Sequence, residues 1–238
     1  MDWAIGRLAG STSNRAAGFG SIVHDAVEHQ DAADAAALEA AIADRFGELA
    51  HESSWEAERQ RVDIAPMTEA IADYFQQLRG KGWRVEAADQ EARFSVELEG
   101  GAVLSGAIDW LEHGTDGADA GAIRVVDLKT GGRTPTSHAE LGNLQLRAYQ
   151  LAIALGGIAG VDGAARTEAR LFLPRLQRAR KFEDAPPFDE VREAFLAHLA
   201  QAARTMGGSR FRAVPAEHCS DPHAFGQCTI HVLPEVTE

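Results

Sequence analysis

Residues 125–131 read Val-Val-Asp-Leu-Lys-Thr-Gly, and this stretch decides how the rest of the chain is interpreted. With Ile123, the two valines predict a strand over residues 122–129. Alternate side chains of a strand face the same side, so Asp127 and Lys129 can meet one substrate. The carboxylate suits a hard cation, and the ammonium can orient or deprotonate a water or balance charge on a phosphate. A solvated polar strand edge is the alternative interpretation.

A second carboxylate stands near the end of the preceding predicted strand, residues 102–111. Residues 104–110 read Leu-Ser-Gly-Ala-Ile-Asp-Trp, a mostly apolar run in which a buried Asp109 is costly unless something pairs with it. A hairpin from this strand to the Asp127 strand would bring both carboxylates to one cation. The alternative is that Asp109 simply starts the loop predicted over residues 112–121.

Two predicted helices add further polar side chains. His24 lies on the first amphipathic helix, and neutral imidazole is a metal ligand, although softer than the oxygen donors that magnesium prefers. Glu28 lies one turn later on the same face. Gln145 and Tyr149 lie four apart on the helix predicted over residues 138–155, so both can touch a phosphate or the attacking water. A polar flank of an amphipathic helix is the alternative for this last pair.

The order of predicted elements indicates a mixed α/β fold, with a central mixed sheet flanked by helices. We expect one domain with a mainly helical part at 1–82, a catalytic α/β core at 83–205 and an irregular tail at 206–238. The predicted segments are an irregular lead-in (1–18), two helices within 21–50, a helix over 66–79, strands over 83–86, 92–98, 102–111 and 122–129, the 138–155 helix, a strand over 168–173 and a helix over 191–205.

Composition narrows the class of protein. The 238 residues are 45% hydrophobic, which fits a sizeable core, and contain no apolar run long enough to cross a bilayer. Two cysteines are too few for a disulfide framework, and we expect a cytoplasmic protein without a secretory signal. The net charge of −13 argues mildly against nucleic-acid binding, but basic residues gather locally after residue 165. The weak candidates for DNA binding there are Arg170, Arg175, Arg178, Arg180 and Lys181, with a solvated surface as the alternative.

Five short motifs follow one another along the chain: Gly20–His24, Glu91 before Arg93-Phe94, Gly106–Asp109, Asp127–Gly131 and Gln145–Tyr149. In this order they resemble the RecB-type branch of the PD-(D/E)xK nuclease superfamily. The resemblance covers residues 18–150 and implies a restriction-endonuclease-like fold that hydrolyses phosphodiester bonds in line with Mg²⁺ or Mn²⁺.

The resemblance also implies a role for each motif residue. Lys129 would position or activate the water, and Glu91 would lie at the edge of the site, where it can serve a second ion. Gln145 and Tyr149 would complete the substrate side. The implied metal ligands are His24, Asp109, Asp127 and the backbone carbonyl of Leu128.

Many members of this branch carry an iron-sulfur cluster on four cysteines. Cys219 and Cys228 match the first and third positions of its C-terminal Cys-x2-Cys-x5-Cys, but Pro222 occupies the second, and no cysteine precedes the His24 helix. Two thiolates cannot hold such a cluster, so we expect none here and interpret the tail as a degenerate cluster loop. A zinc site stays open as an alternative, because the tail also contains His218, His223 and His231.

In RecB and AddB relatives this nuclease is the C-terminal module of a helicase that processes broken DNA ends. The resemblance therefore implies an excised C-terminal domain whose partners are single-stranded DNA ends and the helicase motor domains, with no membrane. One alternative is a stand-alone single-strand exonuclease of the same branch. The others are a non-catalytic DNA- or protein-binding clamp and a metal-dependent phosphodiesterase acting on RNA or nucleotides.

Overall fold

A computed structural model describes residues 12–49, 51, 53–85, 92–132, 137–161, 163, 166–176, 182–185 and 187–209. Among these residues the helices are α1 (Thr12–His29), α2 (Ala35–Arg45), α3 (Ser54–Val62), α4 (Ile64–Gly80), α5 (Leu144–Ala154) and α6 (Arg192–Met206). The strands are β1 (Trp83–Val85), β2 (Ala92–Glu97), β3 (Val103–Ile108), β4 (Trp110–Gly114), β5 (Ile123–Leu128), β6 (Thr167–Phe172) and β7 (Phe182–Asp184). None of the described helices combines the length and the apolar character needed to cross a membrane.

Five strands form a mixed sheet in the order β1-β4-β5-β6-β7. The β5–β6 pair is parallel and is joined through α5, since a parallel pair needs a crossover connection, and the other pairs of this sheet are antiparallel. Strands β2 and β3 form a separate antiparallel hairpin. The predicted mixed α/β fold with a central mixed sheet flanked by helices is confirmed.

Hydrophobic residues cover both faces of the sheet, and the alternation along β5 decides which side each residue takes. Val126 and Leu128 pack with the core formed by α1, α2 and α4. Ile123 and Val125 pack on the other face with α5 and the β2–β3 hairpin. By the same alternation, Asp127 faces the α5 side.

The predicted strand 102–111 is in fact two strands that part at Asp109. Strand β3 ends at Ile108 and pairs with β2, whereas β4 begins at Trp110 and pairs with β1 and β5. The predicted loop 112–121 was wrong for its first three residues, which belong to β4. A charged residue such as Glu112 favours a loop in a prediction from sequence. Here its carboxylate is fully buried and the residue lies inside a strand.

Other differences concern the helices. The predicted irregular lead-in was wrong from Thr12 onward, where α1 begins. Residues 138–143 are not helical: His138 and Gly142 pair as an isolated bridge, and α5 begins after Asn143, whose side chain accepts from the Leu146 amide. Helix α3 and strand β7 were not predicted.

Candidate active site at the end of strand β5

The carboxyl end of β5 lies beside the break between β3 and β4. Trp110 pairs with Val126 in the β4–β5 register, so the residue before Trp110 lies next to the last residues of β5. The Leu128 amide donates a 2.6 Å hydrogen bond to Asp109 Oδ2. The hairpin predicted between these two strands therefore exists and brings Asp109 to the end of β5.

His24 reaches the same point from α1. Its Nδ1 lies 3.0 Å from Asp109 Oδ1, and its Nε2 lies 3.0 Å from the Leu128 carbonyl oxygen. Both neighbours are acceptors, so a proton on both ring nitrogens, or a metal ion in place of one proton, satisfies this arrangement. Burial lowers the pKa of His24, but the hydrogen bond with Asp109 and the charges of Asp109 and Asp127 outweigh it, so the pKa is raised.

Gly20 lets α1 approach this closely. A Cβ atom at Gly20 would lie 3.4 Å from Thr130 Oγ1, which leaves room for a methyl group at most. Gly20 stands one turn before His24 on the same helix, so the distance between α1 and the residues after β5 depends on this position. The Gly-x-x-x-His spacing thus has a packing reason.

Asp127 is almost completely buried, with 1% of its surface exposed. The Tyr149 hydroxyl donates to its Oδ1 over 3.3 Å, and Lys129 Nζ lies 2.6 Å from its Oδ2. The Lys129 contact has ion-pair distance but not hydrogen-bond direction, so Oδ2 has no hydrogen bond from any described residue. Burial raises the pKa of Asp127 and Lys129 lowers it, with a net upward shift.

A chain of side chains closes the α5 side of the site. Lys129 Nζ donates to Gln145 Oε1 over 2.9 Å, and Gln145 Nε2 donates to the Tyr149 hydroxyl over 2.6 Å. Burial, and next to it the Asp127 charge, raise the pKa of the Tyr149 phenol, so Tyr149 stays protonated and acts as a donor. The four groups form a ring that starts and ends at Asp127.

The donor set fits a hard divalent cation. One imidazole, two carboxylates and a carbonyl suit Mg²⁺ or Mn²⁺ better than Zn²⁺. Asp127 Oδ2 also fits this set, because it is buried, accepts no hydrogen bond from a described residue and has only the Lys129 ammonium beside it. Within the described ranges, no three His, Cys, Asp or Glu side chains are already arranged as a metal cluster.

The structure brings most of the predicted site together but not all of it. Arg175 lies at its edge, because it donates to the Thr130 carbonyl over 3.3 Å and pairs with Asp63. Arg170 lies elsewhere: it stands opposite Val126 in the β5–β6 register, on the other face of the sheet from Asp127, and pairs with Asp184. The residues that lie outside the described part of the chain are Glu91, Arg178, Arg180, Lys181, Cys219 and Cys228.

Glu112 is a residue that the sequence analysis missed. Its Oε2 accepts from Arg124 over 3.0 Å, and its Oε1 accepts from Trp110 Nε1 over 3.1 Å and from the Tyr74 hydroxyl. Trp110 directly follows Asp109, so this buried network holds the start of β4 in place. No sequence signal identifies it, because its members come from three separate segments.

A cavity of about 200 Å³ adjoins His24 on the α4 side. Its walls include Phe75 and Trp110, and Glu28 lines it one turn after His24, on the face that the sequence predicted. Phe75 could not be placed here from sequence, because its spacing on α4 indicates only a core position.

Comparison with known proteins identifies a family. The family model of the PD-(D/E)XK nuclease superfamily matches residues 3–229. No curated protein matches the chain significantly in sequence. Nucleases of this superfamily generally use divalent cations such as Mg²⁺ or Mn²⁺, and the mixed sheet flanked by helices is consistent with their restriction-endonuclease-like fold. Since the match extends over nearly the whole sequence, the chain belongs to the PD-(D/E)XK nuclease superfamily.

Proposed function

We propose that this chain is a metal-dependent DNA nuclease, and more specifically the RecB-type exonuclease module of a helicase-nuclease that processes broken DNA ends. The observation that carries the proposal is the meeting of the His24–Asp109 pair with the Asp127–Lys129–Gln145–Tyr149 ring at one end of β5. The order of the five motifs supports the RecB-type assignment. In this proposal residues 1–82, 83–205 and 206–238 are parts of one nuclease domain.

The proposed ligands of the cation are His24, Asp109, Asp127 and the Leu128 carbonyl. A divalent cation held by these residues would lower the pKa of a bound water and neutralise charge on the phosphate. Asp109 holds the ligand set together, since one oxygen faces His24 and the other accepts from the Leu128 amide. The three protein segments that supply ligands are thus fixed to one another before any substrate arrives.

Lys129, Gln145 and Tyr149 have the remaining proposed roles in catalysis. The Lys129 ammonium has three N–H donors, of which Gln145 takes one, so it can also orient the attacking water or balance charge on the phosphate. Gln145 limits where Nζ can move. Tyr149 keeps the Asp127 carboxylate oriented by donating to Oδ1.

The test is a nuclease assay on end-labelled single-stranded DNA with Mg²⁺ or Mn²⁺. We expect cleavage by the wild-type protein and a loss of about 100-fold or more in Asp127→Asn and in Lys129→Met. The matched controls, Asp44→Asn and Lys81→Met, change exposed residues of the same types and should cleave normally. Circular dichroism checks that every variant is folded.

The substrates separate the alternatives. Circular single-stranded DNA should survive, because an exonuclease needs an end, and RNA should be cleaved poorly. Cleavage of the circle would replace the exonuclease mode with an endonuclease. A wild-type protein that binds DNA but cleaves nothing under either metal would contradict the nuclease proposal and favour a clamp.

A further inference from the structure

Helix α3 exposes an unusual set of side chains. Trp55 is 62% exposed, whereas Trp83 and Trp110 are buried in the core. Val62 is 67% exposed, and it shares one helix face with Trp55 and Arg59, since these positions follow the i, i+4, i+7 spacing. Trp55 and Val62 together form an exposed apolar patch on this face, and such patches mark interaction sites.

Helix α3 carries two arginines, of which Arg59 lies beside Trp55. The Arg59 guanidinium lies 5.9 Å from the centre of the Trp55 ring, whereas the Arg61 guanidinium lies 4.7 Å from the Phe46 ring, on a different side of the helix. Arg59 forms no ion pair with another described residue, although Glu56 and Glu58 share its helix. By contrast, the arginines that pair with carboxylates include Arg45, Arg124, Arg166, Arg170 and Arg175. Arg59 thus offers an anionic partner a positive charge beside the exposed Trp55 ring.

The α3 surface is connected to the candidate active site. Asp63, which directly follows α3, pairs with Arg175, and Arg175 also donates to the carbonyl of Thr130, the residue after Lys129. A helix rises about 1.5 Å per residue, so Trp55 lies about 12 Å along the axis from Asp63. A stacked strand advances about 3.4 Å per nucleotide, so that distance corresponds to about four nucleotides.

We propose, on the basis of the proposed function, that Trp55 and Arg59 form a binding surface for single-stranded nucleic acid. A base stacks on the Trp55 ring while Arg59 contacts a phosphate, a few nucleotides from the bond that is cleaved. The surface favours an unpaired strand, because the bases of a duplex are already stacked on each other. Trp and Arg are also common in protein interfaces, but the charge of Arg59 and the link of α3 to the candidate site through Asp63 and Arg175 favour nucleic acid.

The binding test uses the wild-type chain in EDTA, so that no strand is cut, and a fluorescently labelled 20-mer of thymidine. We expect Trp55→Ala to raise the Kd by about 5- to 150-fold, the range for loss of one stacked base, and Trp55→Phe to keep most of the affinity. Arg59→Ala should flatten the salt dependence by about 0.7 in the log–log slope, as for one lost phosphate contact to a single strand. Met206→Ala and Arg204→Ala, exposed positions on α6, serve as matched controls.

A second measurement uses strand length. With Mn²⁺ present, Trp55→Ala should lower kcat/KM for the 20-mer relative to that for a thymidine dinucleotide, because a dinucleotide is too short to reach α3. Wild-type affinity of Trp55→Ala and of Arg59→Ala for the 20-mer would overturn the proposal. Failure of the nuclease proposal looks different: the wild-type protein would cut neither strand, while the Trp55-dependent Kd for the 20-mer would persist.

Discussion

The Leu128 amide and the Asp109 carboxylate join the end of β5 to the break between β3 and β4 through a 2.6 Å hydrogen bond. The bond links two residues whose other groups are both directed at His24: the second carboxylate oxygen and the backbone carbonyl. Asp109 therefore has a structural role in addition to its proposed role as a ligand. The two roles can be separated by substitution.

Asp109→Ala should destabilise the metal-free protein by about 1–3 kcal/mol, because the buried Leu128 amide loses its acceptor. Asp109→Asn should cost less, since its amide oxygen can still accept. Urea unfolding in EDTA measures both, with the exposed Asp44→Ala as the control, expected within about 0.5 kcal/mol of wild type. Equal loss in the alanine and asparagine variants would contradict the role of the hydrogen bond.

Lys129→Met should separate metal binding from catalysis. Lys129 occupies Asp127 Oδ2, so its removal should leave Mn²⁺ affinity at or above that of the wild type while cleavage is lost. Asp127→Asn should lose both Mn²⁺ binding and cleavage. Isothermal titration calorimetry with Mn²⁺ gives the affinities without any need for activity. Loss of Mn²⁺ binding in Lys129→Met would show that the lysine supports the ligand set instead of competing with it.

Gln145→Ala should lower kcat by about 10-fold, because Lys129 Nζ loses the contact that fixes its position, and leave the free energy of unfolding within about 1 kcal/mol of wild type. Gln77→Ala is a matched control, since Gln77 also accepts from a lysine, Lys81, on an exposed helix surface. Single-turnover cleavage of labelled DNA at saturating Mn²⁺ measures kcat. An unchanged kcat would remove Gln145 from the proposed mechanism.

Glu112→Ala should destabilise the protein by about 3–5 kcal/mol, since Trp110 Nε1 and the Tyr74 hydroxyl lose this buried acceptor, while Arg124 keeps Glu168. Glu168→Ala provides the comparison, because Glu168 pairs with the same arginine from a more exposed position and should cost about 1 kcal/mol or less. Urea unfolding gives both values. Similar costs for the two variants would contradict the account of the network.

Gly20→Leu should displace α1 from Thr130 and carry His24 away from Leu128, with loss of Mn²⁺ binding. Gly20→Ala is the matched variant: its methyl group fits at 3.4 Å, and alanine favours a helix, so affinity and stability should hold. Calorimetric titration with Mn²⁺ measures the affinity, and thermal unfolding measures the stability. Wild-type affinity in Gly20→Leu would mean that the approach of α1 is less tight than the contact indicates.

Strong local patterns predicted much of the fold. The β-branched run of β5 and the apolar spacing of α4 gave bounds within two residues of those observed. The break at Asp109 was missed, because an apolar run looks continuous until the two halves pair with different strands. Helix α3 was missed because it buries no residue in the core and so has no apolar stripe of the usual kind. Ser53 nevertheless caps it by accepting from the Glu56 amide, and a Ser followed three residues later by Glu is a start signal.

The candidate site was predictable to the extent that it rests on short motifs. His24, Asp109 and Asp127 were named from the sequence, and the structure places them together, while their roles stay predictions. The positions that depend on packing alone could not be named. Phe75, beside His24, and Glu112, under Trp110, are ordinary residues in their own segments and gain their places only when distant segments meet.

The contacts of His24 span 85 residues to Asp109 and 104 residues to Leu128. Closing loops of that length costs conformational entropy, so these contacts form only when the helical half and the sheet have both folded. An ion held there would bind the native chain and not the unfolded one, and would therefore slow local opening of α1 as well as global unfolding. A fragment that begins at residue 83 would keep both aspartates and the lysine but lack the imidazole that ties the two halves together.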